Sequence, residues 1–136
     1  MSRILVAAGV IFNKRGQILL AQRGEPEFVK GLWEFPGGKI EKSERPEMAL
    51  HREIQEELEL PIEIDFLIGE FEHTYQLHTI RIQAFACRAL DEKFKVNEHL
   101  DVRWVEPDDL KNYPLVPADE NIFPTLLGHA LMRRSK

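Results

Sequence analysis

One cysteine, no long apolar run and no surplus of positive charge: the chain is short of three things that would each have opened a class of function. With Cys87 alone, no intramolecular disulfide can form and a thiolate metal site has no second sulfur, so a reducing, cytoplasmic setting is expected. No apolar stretch approaches the roughly 20 residues that cross a bilayer as a helix, so no membrane partner is expected. The opening MSRILVAAGVIF carries one basic residue and runs straight into the turn and strand pattern NKRGQILLAQR, and it reads as mature protein rather than a secretion signal. Lys and Arg number 18 against 23 Asp and Glu, a net charge of −5. A nucleic-acid polymer needs a basic face, and Arg133, Arg134 and Lys136 make only a short basic tail, so no such polymer is expected as a partner. Small polyphosphates remain open, because a bound cation can reverse the local charge. Repeats, low-complexity tracts and linkers are also missing.

What is present suits one domain over residues 1–136: the chain is 43% apolar and long enough to bury a core unaided. A monomer is expected, with a dimer as the alternative. Residues 3–12 and 17–23 read as a hairpin turning at NKRG with Gly16 in the turn. GEPEFVKG reads as loop, LWEF as a short strand, and PGG as a break where paired glycines admit a ligand close to the backbone. Pro46 suits a first helical position, and Ala49, Leu50, Ile54 and Leu58 form an apolar stripe, predicting a helix over 46–58. Strands follow at about 63–77, 79–90 and LDVRWVE, then a turn of helix at PDDL and a terminal helix interrupted near Pro124. The fold class is therefore α/β in the α+β sense, a mixed sheet packed between helices.

The stretch HREIQEELEL crowds Glu53, Glu56, Glu57 and Glu59 into the second half of that helix. Like charges three or four residues apart destabilise a helix, and its C-terminal half disfavours anions. A solvated acidic face is the ordinary reading of such a run. Against it stand the mutual repulsion, the neighbouring Arg52, and an arc that adjoins the apolar stripe. Several carboxylates on one face make a hard-oxygen site of the kind Mg²⁺ takes, with waters and substrate phosphates completing the shell.

Gly38, five residues, Glu44, seven residues, then Arg52-Glu53-Ile54-Gln55-Glu56-Glu57-Leu58-Glu59-Leu60 resembles the signature of the Nudix hydrolases. One position departs: Glu59 stands where the family has a glycine that ends the helix in a left-handed conformation, which puts local stability in question rather than chemistry. KGLWEFPGGKIE is similar to the segment before the box in the MutT-type nucleoside triphosphate pyrophosphohydrolases, and Glu98, six residues before Trp104, resembles that branch's outlying acid.

The resemblance implies a Nudix fold and a Mg²⁺-dependent hydrolase, with Mn²⁺ as an alternative cation, acting on a small nucleotide. It implies Glu53 as general base or metal-bound carboxylate, Arg52 orienting it, Glu56 and Glu57 as principal metal ligands helped by the Gly37 carbonyl and Glu98, and Lys39 facing the polyphosphate. Glu44 has two readings, a structural partner of Arg52 or a metal ligand. Residue-by-residue matching places Val6, Arg23, Phe35, Tyr75 and Ile80 around the base, with Tyr75 able to stack, although residues of these kinds, Val6 and Ile80 above all, are more often ordinary core or strand surface. Asp119 in PAD stands at the position of the branch's base-reading asparagine. Ionised aspartate only accepts, which suits cytosine N4, and YPLVPAD resembles the CTP-type enzymes of the branch; 8-oxo-dGTP stays open through a protonated aspartate. The bland alternative makes Asp119 an N-cap of the last helix. His51, His73, His78, His99 and His129 show no ligand spacing and read as surface or strand residues, although His99, beside Glu98, could reach the site.

The expected function is thus nucleotide-pool sanitising, with NTP or dNTP and water giving NMP and pyrophosphate. A dinucleoside polyphosphate hydrolase and a noncatalytic nucleotide-binding sensor are the competing readings. An ADP-ribose hydrolase fits less well, because EFEHTYQ lacks the proline that subgroup usually carries.

Overall fold

A computed structural model describes residues 2–75 and 77–134. Lys136 of the basic tail lies outside the described residues, as do the side chains of Arg133 and Arg134. The elements run β1 (Ser2–Phe12), β2 (Ile18–Gln22), a 3-10 turn (Glu27–Val29), β3 (Trp33–Glu34), β4 (Gly37–Lys39), α1 (Pro46–Leu58), β5 (Ile62–Tyr75), β6 (His78–Ala89) and β7 (Asp101–Val105). Two more 3-10 segments, Pro107–Asn112 and Pro117–Asp119, lead to α2 (Ile122–Arg134).

The strands form a mixed sheet in the order β3-β2-β1-β6-β5, with β4 added to β1 and β7 to β2. β1 and β6 are parallel and in register from Ser2 opposite His78 to Phe12 opposite Arg88, so residues of equal parity on these two strands share a face. On one face Ala7, Ile11, Phe85 and Cys87 meet Ala49, Leu50, Ile54 and Leu58 of α1. On the other, Ala8, Val10, Ile82 and Ala84 pack with Ile122 and Leu126 of α2. The expected mixed sheet between helices is therefore what the chain builds. Cys87 is sealed in the first of these cores, and burial pushes its thiol up to about 12, which keeps it protonated and inert.

Two local readings need correcting. PGG is not a break: Gly37 and Gly38 lie in β4, opposite Ala8 and Ala7 of β1. A Cβ on Gly37 would collide with the Ala7 carbonyl oxygen and lie 2.8 Å from Ala8 Cα, so the strand forms because there is no side chain to prevent it. The terminal helix is not interrupted at Pro124, which falls in the first turn of α2, where backbone N–H groups have no partner within the helix anyway. The break lies earlier, between Asp119 and Ile122. His129, expected on the surface or in a strand, is an exposed residue of α2 whose Nε2 lies 2.9 Å from the Ile68 carbonyl oxygen, tying α2 to β5.

α1 starts at Pro46 and ends at Glu59, whose φ of 49° and ψ of 44° are left-handed. The turn that glycine would make is thus retained with a side chain in place. Its exposed carboxylate accepts from Asn97 Nδ2 at 3.2 Å and lies 3.5 Å from Lys95 Nζ. Those contacts offset only part of the left-handed cost, so Glu59→Gly is expected to stabilise the protein by about 1 kcal/mol in chemical denaturation, without changing activity.

Candidate active site

α1 presents its acids at graded depth. The Glu56 side chain is 57% exposed, the Glu53 side chain 17%, and Glu57 as a residue only 7%. Arg52 organises them. Its Nε and Nη2 donate to the two oxygens of Glu44 at 2.8 and 3.0 Å, its Nη1 donates to Glu53 Oε1 at 2.9 Å, and Nη2 also reaches the Lys39 carbonyl oxygen at 3.0 Å. Nη1 lies 3.5 Å from Glu56 Oε2. Of the two readings of Glu44, this geometry favours the structural one: Arg52 spans both its oxygens, the Glu41 N–H donates to Oε1 at 3.0 Å, and the guanidinium holds the carboxyl down at about 2.

The glycines of β4 lie against this cluster. A Cβ on Gly38 would strike the Glu53 carboxylate, so the bare backbone is what lets Glu53 stand between β4 and α1. Lys39 is exposed at the strand's end.

Glu57 is the anomaly. It is buried, and its Oε2 has no hydrogen-bond partner among the described residues. Burial, the adjoining Glu53 and the charges of Glu34 and Glu98 push its carboxyl up to about 9. An unpaired buried carboxylate oxygen facing other acids is costly unless a cation completes it. The donor set is all oxygen, Glu98 is exposed beside it, and no three acidic, histidine or cysteine side chains close into a finished cage among the described residues. Such an open oxygen site fits a hard divalent ion that keeps waters and takes substrate phosphates.

Glu34 escaped the sequence reading, and His99 entered it only as a residue that could reach the site from beside Glu98. Glu34 on β3 takes Arg23 Nη1 on Oε1 at 2.9 Å, and its Oε2 lies 2.9 Å from His99 Nε2. The His99 side chain is 8% exposed and its Nε2 is 3.8 Å from Glu57 Oε2, so it is a buried site residue rather than a surface one. The pair is 65 residues apart in sequence and is joined by β2 pairing with both β3 and β7. A sequence signal existed only in the adjacency of His99 to Glu98.

Asp119 lies at the other end. It is 4% exposed, and its Oδ2 accepts the Phe35 N–H at 2.9 Å, a bond to β3's end rather than to the first turn of α2, so the capping alternative is not what the structure shows. Parallel bridging of Trp33 to Leu115 carries the 113–119 segment alongside β3 and sets this contact. Burial, then Glu34, push the Asp119 carboxyl up to about 8 against the opposing pull of the Phe35 N–H and Arg23. Tyr75 lies within electrostatic reach of Asp119 and Arg23, its ring 4.4 Å from His73 and 5.6 Å from Phe28. Val6 and Ile80, both half-buried, lie on the same sheet face, at the margin of the core that contains Phe35. The fold therefore gathers Arg23, Tyr75, Asp119, Val6 and Ile80 on one side, while the Phe35 ring is core and its N–H is the polar contact. A cleft of about 90 Å³ is lined by Arg23, Gly24, Glu25, Glu98 and His99.

Comparison with known proteins gives a consistent result. Residues 7–125 match the model of the NUDIX domain. The chain is 34% identical over 119 residues to the CTP pyrophosphohydrolase of Escherichia coli strain K12, covering 88% of this chain and 87% of that protein. It is 35% identical over 126 residues to the 8-oxo-dGTP diphosphatase of Haemophilus influenzae, covering 92% of each. The solution structure of the E. coli ORF135 protein superposes with a TM-score of 0.83 at 31% identity, covering 100% of this chain and 96% of that one.

Proposed function

This chain belongs to the Nudix hydrolase family, and on that premise we propose that it is a MutT-type nucleoside triphosphate pyrophosphohydrolase, turning an NTP or dNTP and water into NMP and pyrophosphate. The observation that carries this reading is the buried Glu57 oxygen without a hydrogen bond among the described residues, in a cluster clamped by Arg52 and packed against Gly38. Family members generally use divalent cations; for this chain we assign Mg²⁺, with Mn²⁺ able to replace it, held by Glu56, Glu57, the Gly37 carbonyl and Glu98, with Glu53 beside it as general base or, in the alternative, as a further ligand. When bound, the ion neutralises polyphosphate charge and makes water more acidic.

The protein's own groups do the rest. Glu44 holds Arg52, and Arg52 holds one oxygen of Glu53, leaving the other to take a proton from the attacking water. Lys39 faces the polyphosphate as a point charge. Arg23, Tyr75 and Asp119 orient the base, with Tyr75 offering a ring to stack on. The substrate class we assign is cytosine nucleotides (CTP, dCTP) together with 8-oxo-dGTP, because a carboxyl that titrates near neutrality both donates and accepts when protonated and only accepts when ionised. A monomeric enzyme of the cytoplasm, without nucleic-acid polymer or membrane partners, completes the proposal; the lone thiol of Cys87, buried and unbridged, suits a reducing compartment.

The test is a panel of CTP, dCTP, 5-methyl-dCTP, dGTP, 8-oxo-dGTP, diadenosine tetraphosphate and ADP-ribose with Mg²⁺. Cytosine nucleotides or 8-oxo-dGTP should turn over at least about tenfold faster than dGTP, consistent with roughly 1.4 kcal/mol of base discrimination. Preference for the dinucleotide or for ADP-ribose would refute the substrate assignment.

Asp119 also has a stability signature. Folding raises its carboxyl from 3.8 to about 8, so the native state binds this proton more tightly than the unfolded chain. The resulting stability is fully present below the lower value and is lost as pH rises through the upper one. Asp119→Asn should therefore flatten the fall in Tm across that window, which differential scanning fluorimetry at stepped pH will show.

A further inference from the structure

The imidazole of His99 stands between the carboxyl groups of Glu34 and Glu57. Its Nε2 is 2.9 Å from Glu34 Oε2 and 3.8 Å from Glu57 Oε2. The first is a hydrogen bond and the second is too long to be one. Since a carboxylate paired with arginine accepts, Nε2 carries the hydrogen and gives it to Glu34. Glu34 is in turn held by Arg23 Nη1 at 2.9 Å. His99 Nδ1 and Glu57 Oε2 are the buried side-chain polar atoms left without a hydrogen bond among the described residues, and they belong to the two groups that meet here.

We propose that Glu34 is a positioning residue that keeps the His99 N–H off Glu57, so that Glu57 Oε2 stays bare for the divalent ion. The inference rests on the functional reading above for the identity of the ion. The argument is a competition for one donor. Glu34 sits on β3, where Arg23 fixes it, whereas Glu57 lies less than 1 Å beyond hydrogen-bond reach of the same nitrogen. If Glu34 loses its acceptor strength, a small rotation of the ring carries the N–H to Glu57 and occupies the oxygen meant for the ion. Because Arg23 also lies within electrostatic reach of Asp119, the chain Arg23–Glu34–His99–Glu57 links the base end of the site to its cation end.

A double-mutant cycle on metal binding tests this without using turnover. Mn²⁺ affinity is measured by electron paramagnetic resonance, in the absence of nucleotide, for wild type, Glu34→Gln, His99→Phe and the double variant, with Glu57→Gln as control and thermal melts confirming that each is folded. Glu34→Gln should weaken Mn²⁺ binding about tenfold, partly by its lost charge and partly by freeing the His99 N–H. In the His99→Phe background the same change should cost only about two- to threefold, the share due to charge. Equal losses in both backgrounds would overturn the role given to His99. Mn²⁺ binding that Glu57→Gln leaves untouched would overturn the cation site itself and this inference with it.

Discussion

Glu53→Gln should lower kcat by about 10³-fold, with KM within a few-fold of wild type and the fold intact. The side chain keeps its size, and its amide oxygen can still accept the Arg52 Nη1 bond that now measures 2.9 Å to the carboxylate. Position is therefore preserved and the capacity to take a proton is not. Glu53 is mostly buried on α1 between Arg52 and β4, so the loss would come from chemistry rather than from a displaced backbone. Steady-state kinetics with a melting curve for each protein checks it. A loss confined to KM would place Glu53 in binding instead.

Gly38→Ala should cost about 10²-fold in kcat/KM while the protein still folds. The atoms nearest the added methyl all belong to the Glu53 side chain, which can turn aside and take the catalytic oxygens with it. Its neighbour behaves differently. At Gly37 the methyl would meet the Ala7 carbonyl oxygen and the Ala8 Cα, groups of β1 that also anchor the parallel pairing with β6. Gly37→Ala should thus lower stability by about 3 kcal/mol or more, since backbone cannot rotate out of the way. Circular dichroism separates the two: a folded, slow enzyme for one substitution and an unfolded or marginal one for the other. The reverse assignment would mean that the β1–β4 pairing has been misunderstood.

The reason these neighbours differ was only half legible in the sequence. Paired glycines after proline announced a close backbone approach, but not that the approaching group is another strand. Glycine has no strand preference of its own, and β4 exists because β1 offers Ala7 and Ala8 opposite it. α1, by contrast, was legible to the residue. Pro46 begins it, the Leu50, Ile54, Leu58 stripe fixes its face, and Glu59 ends it left-handed despite being the wrong residue for the turn.

In the site, the divide falls between local and distant pairings. Arg52, Glu53, Glu56 and Glu57 lie on one helix, and their spacing already put them side by side. Glu34 and His99 meet only after β2 has paired with both β3 and β7, and no spacing within a single element announces that. Asp119 was singled out by resemblance rather than by pattern, and no spacing announced its contact with the Phe35 N–H, 84 residues away. Phe35 shows a further lesson. Its ring is buried in the core and its backbone N–H is bonded to Asp119, a division that residue matching does not reveal.

The central claim is that these carboxylates, with a divalent cation, split a nucleoside triphosphate between its α and β phosphates. The most direct test is product stoichiometry: CTP and 8-oxo-dGTP are each incubated with the protein and Mg²⁺, and monophosphate, pyrophosphate and orthophosphate are quantified by ion-exchange chromatography, with chelator and Glu53→Gln as controls. Equal amounts of monophosphate and pyrophosphate, abolished by chelator and by the variant, are predicted. Diphosphate with orthophosphate, or nucleotide that binds and is never cleaved, would contradict it.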